Sequence, residues 1–196
     1  MHFHSIRRVK QPDFEPVTLS EAKAHLRIME CVTEDDAYLI GLIAAARHYF
    51  ENRVGQTTTR TQWRAKVHGW WTCSCMGAEV PYPPLAGDAS GHGVTLSWDG
   101  GTADAADIVV DAIAYPGTVR YDGDDGPPCD KGDATITWWA GVDSPSDIPA
   151  LWKSAMLMLI GHWYENRQAV VTDSGAMEVP MSFDLIVGAC SFDGRG

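Results

Sequence analysis

The chain has 196 residues, of which 45% are hydrophobic, and a formal net charge of −11. This hydrophobic content excludes a disordered chain, and the length fits one domain, alone or with an insertion. No apolar run reaches the roughly 18 residues of a membrane-spanning helix. The N-terminus lacks the apolar stretch of a signal peptide, so we expect a protein kept in a reducing cytosol. Its five scattered cysteines argue against a disulfide framework.

Two helices are predicted in the first third of the chain. Thr18 and Glu21 form a capping box, which predicts a short helix over residues 19–27. A second helix is predicted from Thr33 to about Val54, and Gly55 follows it as a C-cap. Apolar residues recur along this second helix at helical spacing: Leu39, Ile43, Ala46 and Phe50.

The middle of the chain has the pattern of β-strands. Segments rich in β-branched and aromatic residues alternate with Pro-rich and Gly-rich breaks at residues 81–84 and 123–128. We predict a small antiparallel sheet with long loops. Its candidate strands are residues 57–67, 93–98, 108–112, 118–121 and 134–139.

Helical patterning then returns. Residues 150–169 are apolar almost all round, which predicts a second long helix that must be covered on several sides. A short apolar run, residues 183–187, follows Pro180. We therefore predict an α+β fold in one domain, residues 1–196. Its helical body has a short helix, two long helices and a short C-terminal helix over residues 17–55 and 147–190; the antiparallel sheet, residues 57–142, is inserted between the two long helices.

The acidic residues are concentrated in one stretch. From residue 99 to residue 147 there are eleven Asp but only Arg120 and Lys131. Such a surface repels a phosphate backbone, which disfavours sequence-specific DNA binding by this region. Two interpretations stay open: a solvated set of Asp-rich turns, or a lining past which DNA slides without adhering.

Both long helices end in the same six-residue pattern: His, two aromatic residues, Glu, Asn and Arg. Cationic side chains in a last turn interact favourably with the negative helix end, so helix termination explains part of this match. It does not explain the paired aromatics and the Asn, and we treat the pattern as a helix-end signature. Its charged members are His48, Glu51 and Arg53 in the first copy, and His162, Glu165 and Arg167 in the second.

Catalytic and metal-binding patterns are weak. There is no nucleophile elbow, phosphate-binding loop or His-Glu-x-x-His helix. Cys73 and Cys75 are spaced too closely for a typical zinc site, and the two His-x-x-Glu pairs run opposite to the metal motif of helical bundles. The Asp122, Asp124 and Asp125 loop fails as a calcium loop at its sixth position. We predict no enzyme, no cofactor and no metal.

Several segments, in this order and spacing, resemble the head-tail connector proteins of long-tailed phages and gene transfer agents, also called adaptors or head-completion proteins. They cover somewhat over half of the chain. The matching segments are Pro16 to Arg27, the helix leading to Arg53-Val54-Gly55, Pro83-Pro84-Leu85, Trp138 to Gly141, Ile148-Pro149, His162 to Arg167, and the tail from Pro180.

The resemblance implies a structural virion protein located in the neck between head and tail and assembled in the host cytoplasm. Members of this family form a ring, typically of twelve copies, which docks on the portal after DNA packaging and is a platform for the next neck component. The implied partners are other copies of the chain, the portal, and a stopper or tail-terminator protein. DNA would pass through the channel without specific binding, and no membrane is involved.

Carried onto this sequence, the resemblance assigns residues 151–169 to the ring body and residues 180–192 to portal docking. An all-round apolar helix and a detached apolar tail are also surplus hydrophobic surface, which repeated contacts in a ring would bury. The expected ring-interface residues are Leu151, Trp152, Met156, Leu159, Trp163 and Tyr164. The expected portal-docking residues are Pro180, Phe183, Leu185, Ile186 and Phe192. Asp122, Asp124 and Asp125 are expected to face the DNA channel or the tail side.

Three other functions remain open. A stopper or tail terminator would share the virion setting, although such proteins tend to be β-rich. A small metal-dependent hydrolase would use His48, His162 or the cysteines. A cytosolic dimerisation domain would also bury the surplus apolar surface.

Overall fold

A computed structural model of the chain describes residues 2–68, 78–86, 93–123, 133–167 and 181–190. The fold is mixed, with four α-helices and antiparallel sheets among these residues. The chain divides into two compact units. We call Met1–Asp13 with Thr59–Asp143 the sheet unit, and Phe14–Thr58 with Ser144–Gly196 the helical unit. No helix in the described part of the chain is long and apolar enough to cross a bilayer.

The helical unit contains α1 (Leu19–Leu26), α2 (Asp36–Val54), α3 (Ala150–Glu165) and α4 (Met181–Cys190). The predicted capping box at the start of α1 is present, with the Thr18 and Glu21 side chains each bonded to the other's backbone N–H. The core of the helical unit contains apolar side chains of all four helices. The largest fully buried members are Leu39, Phe50, Met156, Leu159, Ile160 and Phe183.

Two helix boundaries differ from the sequence prediction. Helix α2 begins at Asp36 rather than at Thr33, because residues 33–35 form a turn in which the Asp36 N–H donates to the Thr33 carbonyl. Helix α3 ends at Glu165 rather than near residue 169. The Asn166 N–H makes the last helical bond, to the His162 carbonyl, and the φ of −112 and ψ of 63 at Asn166 take the chain out of the helix. Residues 168 and 169 lie outside the described residues.

The sheet unit contains two antiparallel sheets in its described part, where the sequence predicted one. The five-stranded sheet has the order β1-β2-β8-β4-β5, and the three-stranded sheet has the order β3-β7-β6. The strands are β1 (His2–Lys10), β2 (Thr61–His68), β3 (Ala78–Glu79), β4 (Thr95–Trp98), β5 (Gly101–Thr102), β6 (Ile108–Asp111), β7 (Thr118–Tyr121) and β8 (Asp133–Ala140).

The strand prediction missed β1 and the two-residue strands β3 and β5, and it misplaced the start of β2. Strand β1 was not predicted, because its register with β2 shifts twice and these bulges interrupt the alternation of polar and apolar residues. Strand β2 begins at Thr61 rather than at Thr57. The Thr58 N–H donates to the Glu51 carboxylate and is therefore not available for a strand ladder.

A glycine beside β8 requires close backbone approach. Gly141 has φ +95, and a Cβ there would overlap the backbone carbonyl of Thr59. Gly100, in the β4–β5 turn, has nearly the same φ of +96 but open space around its Cβ position. A side chain substituted at either position would meet the same backbone strain, but only at position 141 would it also meet a steric overlap.

We expect Gly100→Ala to reduce the free energy of unfolding by about 1–3 kcal/mol through backbone strain alone. Gly141→Ala should cost about 1–3 kcal/mol more, since the overlap with Thr59 adds overpacking. Urea denaturation of both variants measures the difference. Equal losses would show that the approach to Thr59 does not constrain the sheet unit.

Candidate functional site

The second copy of the helix-end signature joins the end of α3 to the start of α2. The Tyr164 hydroxyl and the Arg167 guanidinium both donate to the carboxylate of Asp35, the Arg167 bond measuring 2.8 Å. The same guanidinium lies over two aromatic rings, 4.7 Å from the centroid of Tyr38 and 4.8 Å from that of Tyr164. Asp35 precedes α2, so one carboxylate holds two long helices together.

These contacts change the ionisation of all three polar groups. The pKa of Asp35 is lowered, first by the hydrogen bond from Tyr164 and then by that from Arg167. The pKa of Tyr164 is raised because its hydroxyl donates to the Asp35 carboxylate. The pKa of Arg167 is raised mainly by its hydrogen bond to the same carboxylate. The three groups therefore favour an ionised Asp35, a neutral Tyr164 and a charged Arg167.

The first copy of the signature forms a buried network at the end of α2. The Glu51 side chain is 3% exposed, and its Oε1 accepts hydrogen bonds from the Thr58 N–H at 2.9 Å and the Thr58 hydroxyl at 2.8 Å. Its Oε2 accepts from Arg47 at 3.2 Å. Arg47 is also buried and donates to Glu15 at 2.7 Å. A buried carboxylate with these partners is a structural group that holds residues 55–58 against α2.

The two copies of the signature therefore have different structural roles, although their sequence patterns agree. Glu51 is buried, whereas Glu165 is exposed. The Arg residues are alike in one respect, because each pairs with an acid outside its own helix: Arg53 with Asp184 of α4 at 2.7 Å, and Arg167 with Asp35. The imidazole of His48 bonds Asn52, while the backbone carbonyl of His162 accepts from Asn166.

Five of the six predicted ring-interface residues are buried or partly buried within the helical unit. Met156 and Leu159 are buried in its core. Three partly buried aromatic residues of α3 pack on neighbouring rings: Trp152 on Phe50, Trp163 on Tyr49, and Tyr164 on Tyr38. Leu151, at the start of α3, is 44% exposed. Of this set, Leu151 has the side chain that a partner reaches most readily.

The predicted docking segment forms α4. Phe183 is fully buried, with its ring 5.6 Å from that of Tyr49, and Ile186 is partly buried on the same core. Leu185 faces away and is 77% exposed. Pro180 and Phe192 lie outside the described residues. Helix α4 thus has one face on the helical unit and an apolar residue on its outer face.

Only part of the predicted acidic loop lies among the residues that the structure describes. Asp122 is exposed and pairs with Arg120 at 3.0 Å. Asp124, Asp125, Cys73 and Cys75 lie outside the described residues. Among the residues that are described, no group of three or more His, Cys, Asp or Glu side chains could hold a metal ion.

Sequence reasoning missed two lysines that tie α1 to the rest of the helical unit. Lys23 is buried, and its Nζ lies 2.6 Å from Asp36 and 2.8 Å from the Val32 carbonyl. Lys153 of α3 bonds Glu21 at 2.9 Å. Burial acts to raise the pKa of Glu21, but hydrogen bonds from Thr18 and Lys153 lower it overall. The capping box pointed to Glu21 as a backbone cap, while no spacing rule linked it to Lys153.

Comparison with known proteins gives one family and one fold. Residues 16–72 match the family described as "Phage gp6-like head-tail connector protein". This segment includes α1, α2 and β2, with Arg47, Glu51 and Thr58 of the buried network. A search of curated proteins gives no match.

Three chains with a similar fold belong to solved structures of gene transfer agent (GTA) particles. A chain in the virion of the native particle has 19% sequence identity and a TM-score of 0.68, covering 96% of this chain and 95% of that chain. A chain in the neck of the empty particle, computed with C6 symmetry, has 19% identity and a TM-score of 0.66 at the same coverage. A chain in the neck of the native particle, computed with C12 symmetry, has 18% identity and a TM-score of 0.66.

The resemblance seen in the sequence is thereby confirmed over residues 16–72. Residues 16–72 carry the sequence of the phage gp6-like head-tail connector family, and nearly the whole chain has the fold found in those particles. The family match over this segment supports a head-tail connector protein.

We expect Glu51→Ala to reduce the free energy of unfolding by about 3–5 kcal/mol, because it leaves the buried Arg47 with one carboxylate fewer and removes the acceptor of Thr58. The matched control is Glu165→Ala at the same position of the second signature copy. It should change stability by no more than about 0.5 kcal/mol, as for an ordinary surface residue. Denaturant titration measures both, and similar losses would contradict the assigned difference.

Asp35 should give the helical unit a specific acid sensitivity. Its folded pKa is below the ordinary value of 3.8, so its stabilising effect is complete above that value and is lost as the pH falls through the folded pKa. Tyr164→Phe removes the largest cause and should raise the pKa of Asp35, as read by NMR titration of the carboxyl carbon. Tyr38→Phe keeps its ring beside Arg167 and should leave that pKa unchanged. A Tyr164→Phe protein with an unaltered Asp35 titration would contradict the assignment.

Proposed function

We propose that this protein is a structural head-tail connector that forms a ring in the neck of a phage or gene transfer agent particle and has no enzymatic activity. The observation that carries the proposal is the agreement of two independent comparisons. The sequence of residues 16–72 matches the connector family, and the fold of nearly the whole chain matches chains of particle necks. A neck computed with C12 symmetry also supports a ring of identical copies, twelve in this proposal.

In the proposed ring, neighbouring copies contact each other through the exposed start of α3. Leu151 supplies an exposed apolar side chain there, while the buried Met156 and Leu159 hold α3 in its own unit. The partly buried Trp152 forms the rim there, and the partly buried Trp163 and Tyr164 extend the contact to the other end of α3. A ring closes when one heterologous contact of this kind repeats around an axis.

The ring is proposed to dock on the portal through α4. Leu185 is a large apolar side chain in solvent on a helix whose other face is already packed, so it is available for a contact with the portal. The opposite side of the ring would be the platform for a stopper or tail-terminator protein. The acidic residues around Asp122 would let DNA pass the neck without adhering.

Deleting the gene from a particle-producing host tests this function. Without the connector, heads should fill with DNA and remain tailless, and the wild-type chain supplied in trans should restore tails. Electron microscopy counts both kinds of particle. Normal tailed particles from the deletion strain would overturn the proposal.

Helix α4 can be tested in the same strain. Leu185→Asp should reduce tailed particles at least about tenfold, since burying an unpaired charge at a protein contact costs well over 1.4 kcal/mol. Leu185→Met keeps the apolar contact and should restore tails as the wild type does. If Leu185→Asp also restores tails, α4 is not the docking element.

A further inference from the structure

A group of cations lies together on one face of the five-stranded sheet. Arg64 and Lys66 of β2 alternate with the buried Ala65 and Val67, so their side chains are on the face away from the core. Arg7 of β1 is the cross-strand neighbour of Arg64 and lies on the same face. We call Arg7, Arg64 and Lys66 the basic face.

The basic face is not neutralised within its own described surroundings. Ion pairs among the described residues do not include any of its three cations, and the one hydrogen bond from the Arg64 side chain goes to the Thr137 hydroxyl at 3.4 Å. Like charges directly opposite each other on neighbouring strands are destabilising. An anion bound beside Arg7 and Arg64 would therefore relieve the repulsion between them.

This face also contains a concave site. Register shifts between His4 and Arg7, so that Ser5 and Ile6 lie opposite Ala65 alone in a β-bulge. Ser5 has φ 55, a left-handed conformation that a non-glycine residue adopts at a cost. An open pocket of about 320 Å³ lies at this bulge. It is lined by Ser5, Arg7, Arg64, Ala65, Lys66 and Thr135.

Two further cations extend the basic face along the same side of the sheet. Lys10 lies 5.3 Å from the ring centroid of Trp139, and the Arg60 guanidinium lies 5.1 Å from it. Each of these two has an acidic partner nearby, Asp13 and Asp143 respectively. Arg7, Arg64 and Lys66 are therefore the part of the face that can take a new anion.

Acidic residues occur at the other edge of the same sheet. Strand β5 forms the edge opposite to β1, and exposed carboxylates of Asp99 and Asp104 flank it in the sequence. From residue 93 to residue 123 there are five Asp and one cation, Arg120. We call Asp99 and Asp104 the acidic edge. The sheet unit thus has positive charge toward one edge and negative charge toward the other.

We propose that the basic face of one copy receives the acidic edge of a second copy of this chain, as a contact between neighbours in the proposed ring. A heterologous contact joins two different surfaces of one protein, and these two surfaces are complementary in charge. Guanidinium groups can bind carboxylates through two parallel hydrogen bonds, which fixes the register of the contact. The occupant is a protein carboxylate rather than nucleic acid, because a chain of net charge −11 repels DNA at long range.

Reciprocal charge reversal tests the proposal, which rests on the ring function above. One variant carries Arg64→Glu and Lys66→Glu, and the other carries Asp99→Lys and Asp104→Lys. Each variant alone joins like charges and should restore tailed particles in the deletion strain at least about tenfold less well than the wild type. Expressed together, the variants can alternate around a ring of even copy number, with opposite charges at every contact, and should restore tails. Rescue by the mixture also shows that both variants fold.

The outcomes separate failure of this contact from failure of the connector function. Wild-type protein that does not restore tails overturns the connector function, and the proposed contact with it. The contact alone is overturned if the wild type and each single variant restore tails equally well. It is also overturned if the wild type restores tails but the mixture of variants does not. The charge-matched control combines Ala24→Glu, Arg27→Glu and Met29→Glu, three exposed positions outside the basic face, and should restore tails. A loss as large as that of the basic-face variant would assign the effect to total charge and overturn the contact.

Two measurements on the wild-type chain keep the test independent of the variants. Carbodiimide coupling of particles that contain mixed light and nitrogen-15-labelled copies should link Lys66 of one copy to Asp99 or Asp104 of another, as read by mass spectrometry. Links confined to single copies would overturn the contact. Fluorescence anisotropy with a short DNA duplex should show no binding, and binding that the Arg64→Glu and Lys66→Glu variant loses would assign the face to nucleic acid instead.

Discussion

The helical unit depends on a buried carboxylate at the end of its longest helix. Glu51 accepts from the backbone and side chain of Thr58 and from Arg47, so it fixes the path of the chain after α2. A carboxylate in the interior is tolerated only when its hydrogen-bonding capacity is used. Glu51 therefore helps to hold residues 55–58, which have no regular secondary structure, against the end of α2.

Charged contacts at helix ends position the remaining helices around that core. Asp35 joins the start of α2 to the end of α3, and Arg53 joins the end of α2 to α4. The Asp35 contact combines hydrogen bonds with stacking of Arg167 on two tyrosines, which favours a single geometry over a mobile surface pair. The Arg53 pair is exposed on both sides and contributes less.

The structure leaves α3 with less apolar surface for a neighbouring copy than the sequence suggested. The sequence suggested that α3 carries more apolar surface than one copy can bury, yet Met156 and Leu159 are covered by the other helices of the same unit. The exposed apolar side chains Leu151 and Leu185 are small sites at helix surfaces. The proposed contact between the basic face and the acidic edge would be a second means of specifying neighbours, because charge complementarity selects a partner and fixes its register more than it adds affinity.

The sequence by itself determined the helices and their caps, most of the strands and the resemblance to connector proteins, because periodicity, capping and turn residues are local. It could not determine β1, whose bulges hide the alternation, or the division of the strands into two sheets, which depends on pairing between distant segments. It identified the repeated helix-end signature but not the burial of Glu51 and the exposure of Glu165. Only the tertiary structure decided those roles, since the free energy of a carboxylate depends on the donors and solvent around it rather than on its neighbours in the chain.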